Sequence, residues 1–362
     1  MINATKTEIK LYKHYDTIVV GQGIAGTVLS YSLFNAGQDI LVIDAPNPYS
    51  ATKAAAGLIN PITGRYYTKT WMIENLLSQA IKTYKELEIL LSCKLWYPSD
   101  IYRVLHTITQ VNDWESKVLK SGYQDYCQSI STLGKYQELT THGEGVALIK
   151  QGGRVDINLL VSRYKQYLID RSAYLETQFD HNELQVNSDC VVYGEYRARS
   201  IVFAEGVGAL TNPYFQEIPL QPAKGQAVQI QVGGSAIKDQ ILKHKQYLVP
   251  IGESNTYWSG GGFKWNTENA LPTSDFLDKY IEELNDFINP EYKILNHIAG
   301  IRPCVKDRKP LIGKHQTYRN IYIFNGMGTK GTSLSPYFAE MLVKYMLDSK
   351  PLLNEVDLAR YY

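Results

Sequence analysis

The sequence predicts a protein of mixed α/β and α+β class. A parallel-sheet domain is assembled from separated stretches of chain, and a mainly antiparallel-sheet domain is inserted into it. Three observations carry this expectation. A strand, a glycine turn, a helix and a second strand open the chain between Tyr15 and Asp44. Another strand, glycine loop and helix close it after Asn320, and residues 220–265 in between are rich in short strands separated by turns. At 362 residues the chain exceeds one simple core, which agrees with two joined domains. The expected boundaries are 1–84, 151–219 and 298–362 for the parallel-sheet domain, with 85–150 and 220–297 forming the inserted one.

The opening unit is the most informative stretch. Thr17-Ile18-Val19-Val20 is short, β-branched and apolar throughout, as a parallel strand buried on both faces requires. Gly21, Gly23 and Gly26 follow in G-x-G-x-x-G spacing around Ile24 and Ala25. The first glycine permits the turn, the second admits a pyrophosphate against the backbone, and the third lets the helix pack on the strand. The helix carries Val28, Leu29 and Leu33 and stops at Gly37. A second strand from Ile40 ends in Asp44, about 20 residues past the glycines, where a carboxylate accepts hydrogen bonds from an adenosine ribose. Together these features predict a Rossmann-like dinucleotide site.

In Thr52-Lys53-Ala54-Ala55-Ala56-Gly57 the three alanines and Gly57 leave almost no side-chain volume, which suits backbone lying against a flat ligand or another helix. Residues 69–92 show helical periodicity through Trp71, Leu76, Leu77, Ala80, Tyr84 and Leu87. Lys94 to Thr109 alternates like a strand pair, and 111–150 gives no clear pattern. A new helix starts after Gly153, with Asp156 or Asn158 as N-cap. Tyr174–Phe179, Asp189–Tyr193 and Arg197–Phe203 read as strands, the last running into Ala204-Glu205-Gly206. Residues 272–296 read as helix. Near the end, the strand Asn320–Phe324 feeds the loop Asn325-Gly326-Met327-Gly328-Thr329-Lys330-Gly331, and the next helix is expected to begin with Ser335 as N-cap and Pro336 at its first position. Free amides at such a helix start favour an anion.

Composition narrows the class. The formal net charge of +1 argues against nucleic acid or an anionic membrane as a partner of the whole-chain field. Four scattered cysteines, Cys93, Cys127, Cys190 and Cys304, have no metal spacing and read as reduced thiols of a cytoplasmic protein. No apolar run approaches a membrane span, and the polar first residues lack the apolar core of a signal peptide.

The opening GQGIAG with Asp44, TKAAAGLINP, the strand into Ala204-Glu205-Gly206, PAKGQ, YLVP, AGIRP to PLIG, and GMGTKG occur in this order. The chain thereby resembles the D-amino-acid oxidase superfamily of FAD-dependent oxidoreductases, most closely its glycine oxidase and sarcosine oxidase branch. The oxidase half of the bifunctional enzyme that modifies tRNA wobble uridine belongs to the same branch. The resemblance spans nearly the whole chain, 85–150 least securely. It implies a discontinuous FAD-binding domain and an inserted substrate domain. It also implies non-covalent FAD, with Asp44 on the ribose and the 21–26 turn on the pyrophosphate. Thr52, Lys53, Ala55, Ala56 and Gly57 would lie along the ribityl chain and flavin, Phe179 beside adenine, and Ala204, Glu205 and Gly206 beside the cofactor. Gly326, Met327, Gly328, Thr329, Lys330, Gly331 and Thr332 would hold the pyrimidine side of the flavin.

The implied reaction removes hydride from the carbon bearing a neutral amine, leaving an imine, with oxygen then giving hydrogen peroxide. Orientation and exclusion of water dominate, so no catalytic triad is needed. In this family an arginine in the motif of Arg302 grips the substrate carboxylate; the alternative is a salt bridge to Asp307. Tyr247 matches a pocket tyrosine, and Lys264 sits near the lysine that promotes oxygen reduction in sarcosine oxidases. Arg65 faces either the pocket or the surface. Cys304 does not match the cysteine that carries covalent flavin, GMGTKG lacks the histidine of sarcosine oxidases, and Glu205 replaces a small residue. The expected substrate is a small amino acid or secondary amine. The alternatives are modified tRNA, a dehydrogenase with another acceptor, or a flavin-binding protein without turnover. The sequence leaves the oligomeric state open.

Overall fold

The computed structural model describes residues 11–131, 143–233, 240–252, 255–265, 269–288 and 291–362; the polar leader expected at the N-terminus lies largely outside them. Two large sheets face one another. The first has eight strands and is built around Lys13–Val20, which pairs in parallel with Ile40–Asp44 on one side and Tyr196–Phe203 on the other. Tyr174–Glu176 extends the sheet beyond Ile40–Asp44, and Ile321–Asn325 pairs in parallel with the end of Tyr196–Phe203. The strands of the expected strand–turn–helix units at the two ends of the chain therefore lie in one sheet, on either side of Tyr196–Phe203. This is the Rossmann-like arrangement.

Alternate residues of these strands enter different cores. Val19, Val42, Val202 and Phe324 face the helices Ile24–Asn35, Ile73–Leu91 and Gly331–Asp348, while Ile18, Val20, Ile43, Phe203 and Ile323 fill the opposite side. Fully burying each such side chain contributes about 1.5–3 kcal/mol, which is why these strands are apolar at every position rather than every second one.

The second sheet has nine strands. The long pair Leu220–Val232 and Tyr292–Val305 is followed by Thr256–Gly260, Tyr247–Pro250, Ile241–Lys243, Ile101–Leu105, Gly145–Ile149 and Cys127–Ser131, with only Ile101–Leu105 and Ile241–Lys243 parallel. Val228, Ile230, Leu242, Leu248 and Tyr257 pack under the helix Ser274–Asn285. The other face, through Ala227, Ile241, Val249 and Trp258, joins the same core as the nucleotide-binding helices. The antiparallel sheet thus shares a core with the parallel one, and Tyr292–Val305 carries it past residue 298, where the sequence suggested a boundary.

Several local expectations are corrected. The helix expected over 69–92 starts at Ile73, after Met72 in a left-handed conformation. Trp71 precedes it and stacks on Phe338 at 5.7 Å. The strand pair expected over 94–109 is two strands of different sheets: Trp96–Pro98 joins Gly153–Val155, whereas Ile101–Leu105 joins Gly145–Ile149, and Thr109 is helical. Helix 272–296 stops at Asn285, because residues from Tyr292 pair with Val232 as strand. Asp156 rather than Asn158 is the N-cap, its Oδ1 accepting from the Leu159 amide at 3.1 Å.

The last helix starts at Gly331, so Pro336 sits inside it and Ser335 is buried rather than capping. Proline removes the amide that would bond the carbonyl of Thr332. That carbonyl instead accepts from the buried Tyr84 hydroxyl at 2.7 Å. The proline is tolerated because a neighbouring helix supplies the missing donor. Tyr84→Phe is expected to cost about 1–2 kcal/mol in denaturant unfolding by leaving this carbonyl unpaired. In the Pro336→Ala background, where an amide is restored, the same substitution should cost measurably less; an equal cost in both backgrounds would refute the coupling.

Candidate active site

A cleft of about 440 Å³ opens at the carboxyl ends of the parallel strands. The three glycines of the turn, of which Gly21 and Gly23 line the cleft, differ as the sequence predicts. Gly21 has φ +99°, and a Cβ there would sit 2.6 Å from the Ala204 carbonyl oxygen. A Cβ on Gly26 would meet the Gly21 oxygen at 1.8 Å. At Gly23 it would meet only Thr52 Oγ1, at 3.0 Å, so the space in front of this residue is left for a ligand. Thr52 Oγ1 accepts the Ile24 amide at 3.0 Å, and the Thr27 amide bonds Gly23, while the amides of Ala25 and Gly26 have no acceptor among the described residues. A helix start with free amides suits a phosphate.

Asp44 stands at the adenosine end. Its Oδ1 accepts from the Gln22 amide at 2.8 Å, and burial pushes the carboxyl up from its ordinary range, an effect opposed by that hydrogen bond. Phe179 closes the same end, with Thr177 and Gln178, and stacks on Tyr193 at 4.4 Å. Glu205, for which the sequence offers no role, accepts from Asn212 Nδ2 at 2.7 Å and bonds His181 Nε2 at 2.9 Å. It pins the turn after Ala204 to the segment that follows Phe179. Gly206, with φ +59°, lines the cleft beside it.

At the far end Asn325 Nδ2 donates to the Gly206 carbonyl at 2.8 Å, tying the second glycine loop to the middle strand. Met327, Gly328, Thr329, Gly331 and Thr332 line the cleft, and Gly326 supports the turn from below. Lys53 is exposed and borders a separate cavity with Arg154, so its side chain is directed away from the cleft. The donor set, the open face of Gly23 and the buried carboxylate fit FAD.

A second cavity of about 270 Å³ joins the first and lies between Ala54–Gly57 and the inner face of the nine-stranded sheet. Arg302 lines both. Its guanidinium lies directly over Gly225, where a Cβ would be 2.3 Å from Nη2, and Nη1 donates to the Gly262 carbonyl at 3.1 Å. Burial lowers its pKa, and no carboxylate among the described residues lies within 4.0 Å of it. The alternative partner Asp307 bonds Arg360 at 3.2 Å and Tyr361 at 2.9 Å instead. Arg302 is therefore a desolvated cation at the junction of two cavities with no protein counter-ion.

Tyr247 lines the second cavity and accepts from Asn60 Nδ2 at 2.9 Å. Lys330 lines it too, its ammonium donating to Thr70 Oγ1 at 3.3 Å and pushed down by burial, then by Arg308 and Lys309. Lys264 is not brought there. It is exposed on the short strand Lys264–Trp265, paired with Lys224 after a run of glycines that turns the chain outward. Arg65 lies on the surface over the ring of Tyr66. Cys304 Sγ would lie 3.5 Å from a Cβ on Gly328, and burial pushes its thiol up, away from the thiolate form. Asn60, Gly225, Trp258 and Gly300 were missed from sequence. All four are uncharged and show their purpose only once the sheet brings them together.

Gly23→Ala is expected to fold at near wild-type Tm but bind FAD at least tenfold more weakly, whereas Gly26→Ala should lose both stability and FAD. Thermal melts with and without added FAD separate the two outcomes.

A family model described as FAD dependent oxidoreductase matches residues 16–345. Glycine oxidase of Bacillus licheniformis is 25% identical, covering 92% of this chain and 94% of its own. The tRNA 5-methylaminomethyl-2-thiouridine biosynthesis bifunctional protein of Marinobacter nauticus is 22% identical over 93% of this chain, which spans only 56% of that longer protein. Among solved structures, glycine oxidase from Geobacillus kaustophilus superimposes with a TM-score of 0.78 at 19% identity, covering 96% of this chain and 98% of its own. The chain belongs to the D-amino-acid oxidase family of FAD-dependent oxidoreductases.

Proposed function

We propose that this protein oxidises the C–N bond of a small amino acid or secondary amine whose carboxylate is held by Arg302, giving an imine and passing the electrons to oxygen as hydrogen peroxide. The observation that carries this reading is the half-buried guanidinium at the junction of the cofactor cleft and the second cavity, with no counter-ion among the described residues. A bidentate grip on a carboxylate would fix the substrate's orientation as well as its charge. Glycine oxidase among the relatives supports the substrate class.

Bound FAD supplies the two-electron acceptor for the hydride leaving the substrate carbon. The protein's own part is orientation and desolvation. Gly225 gives Arg302 room to lie flat, and the Gly262 carbonyl fixes one edge of the guanidinium. Trp258, held by its indole N–H on the Ala54 carbonyl at 3.0 Å, and Tyr247 wall the cavity. The helix start at Gly331 and the Lys330 ammonium would offer positive charge to the negative charge that reduction brings to a flavin held by this loop. With the thiol of Cys304 held protonated, the cofactor is expected to be bound without a covalent link.

No carboxylate or imidazole lines the second cavity among the described residues. The substrate amine must therefore arrive neutral, having lost its proton to water. The kcat/KM profile is expected to rise with pH and level off near the ordinary pKa of the substrate amine, shifting when that amine is changed. A profile pinned to one pH for all substrates would reveal an enzymic base instead.

The test is anaerobic titration of the holoenzyme with amino acids and N-methyl amines, following the visible flavin band. Arg302→Ala should lower kcat/KM for a carboxylate-bearing amine about 10²–10³-fold, as loss of one partner of a buried charge pair costs on the order of 2–5 kcal/mol. Lys264→Met should change it less than about twofold, as for an exposed residue away from the cavities. Bleaching that survives Arg302→Ala would sink the carboxylate grip. Bleaching by modified tRNA alone would favour the activity suggested by the Marinobacter relative.

A further inference from the structure

On its inner face the nine-stranded sheet carries one row of residues aligned by register. Ala227 pairs with Gly260, Gly260 with Tyr247, Tyr247 with Lys243, and Lys243 with Arg103. Side chains at paired positions share a face. The row therefore passes through Tyr247, which lines the second cavity, and ends in two adjacent cations.

Neither cation has an anionic partner. Arg103 lies over the Tyr67 ring at 4.4 Å and donates to the Gly64 carbonyl at 2.9 Å; Lys243 lies over the Tyr247 ring at 4.3 Å and donates to the Lys245 carbonyl at 2.5 Å. No carboxylate among the described residues comes within 4.0 Å of either, and Glu283, the acid that acts on Lys243, is bonded to Gln246 Nε2 at 2.8 Å. Ring faces and neutral carbonyls solvate two like charges without balancing them. Both heads lie behind lining residues: the Gly64 carbonyl that Arg103 meets follows Thr63, and the ring under Lys243 belongs to Tyr247, both of which line the cavity. Burial, then Arg103, lowers the Lys243 ammonium to about 8, so it remains charged at neutral pH.

Building on the proposed amine oxidation, we infer that Lys243 and Arg103 form a second anion subsite, and that the substrate is an amine carrying two carboxylates, one on Arg302 and one directed past Tyr247. The strands bearing Gly225 and Lys243 are three steps apart, about 14–15 Å between backbones. Long side chains reaching inward from both ends close much of that span. A single-carboxylate substrate such as glycine would leave the far pair uncompensated.

Two measurements test this. Anaerobic half-saturation of flavin reduction is compared for sarcosine, iminodiacetate and its longer homologue N-(2-carboxyethyl)glycine. The wild type should favour a dicarboxylate by at least tenfold, and Lys243→Met or Arg103→Met should bring that preference ratio close to one. A ratio near one in the wild type, or one unchanged in both variants, overturns the subsite. Independently, glutarate should raise the Tm of the wild-type holoenzyme more than butyrate at equal concentration, and equal shifts also overturn it. This second measurement needs no turnover and no variant. If no amine reduces the flavin, the amine-oxidation reading fails, while a glutarate-specific shift still identifies the anion subsite.

Discussion

The close approach of backbone to backbone at Gly21 sets the geometry of everything around it. Its α-carbon lies against the Ala204 carbonyl, and its own carbonyl lies against the α-carbon of Gly26. No side chain fits at either contact. The first strand, the first helix and the Tyr196–Phe203 strand can therefore approach closely enough for the cleft to form at their common end. Asp44 on one side and Asn325 on the other then fall at the two ends of that cleft. The hydrogen bond of Gln22 to Asp44 holds one end to the glycine turn, and that of Asn325 to Gly206 holds the other to the turn after Ala204.

The second constraint is the absence of side-chain volume on the floor of the second cavity. Residues 50–54 approach the long strand pair so tightly that a Cβ on Gly300 would lie 2.9 Å from the Ser50 carbonyl oxygen and 3.0 Å from the Ala54 Cβ. Gly225 does the same for Arg302. A half-buried guanidinium held flat over a glycine, with no acid among the described residues within 4.0 Å, is stabilised when something anionic is there to meet it. The shared core beneath both sheets keeps the junction rigid, because Trp258 and Ala227 pack with the helices that border the cofactor cleft. Orientation here is a property of packing rather than of any single contact.

Glu205 and Pro336 show how departures from local rules are balanced elsewhere. An acid at the end of a buried strand is tolerated because His181 and Asn212 receive both oxygens. A proline inside a helix is tolerated because Tyr84 supplies a donor from another helix. In both cases the partner is distant in sequence, so the residue looks anomalous until the fold brings its partner to it.

The sequence alone determined the nucleotide-binding unit, the second glycine loop, the antiparallel middle and the arginine at the site. These are encoded locally: glycine spacing, apolar runs and strand alternation depend on near neighbours. Tertiary structure decided the rest. That Arg302 faces the cavities rather than Asp307, that Lys264 turns outward, and that Gly225, Gly300 and Trp258 shape the substrate side all follow from strand register across the sheet. The same register aligned Arg103, Lys243 and Tyr247, whose positions in the chain give no hint of a common row. Helix limits at Ile73, Asn285 and Gly331 were also set by pairing and packing, because amphipathic periodicity continues past the point where a distant strand or side chain claims the backbone.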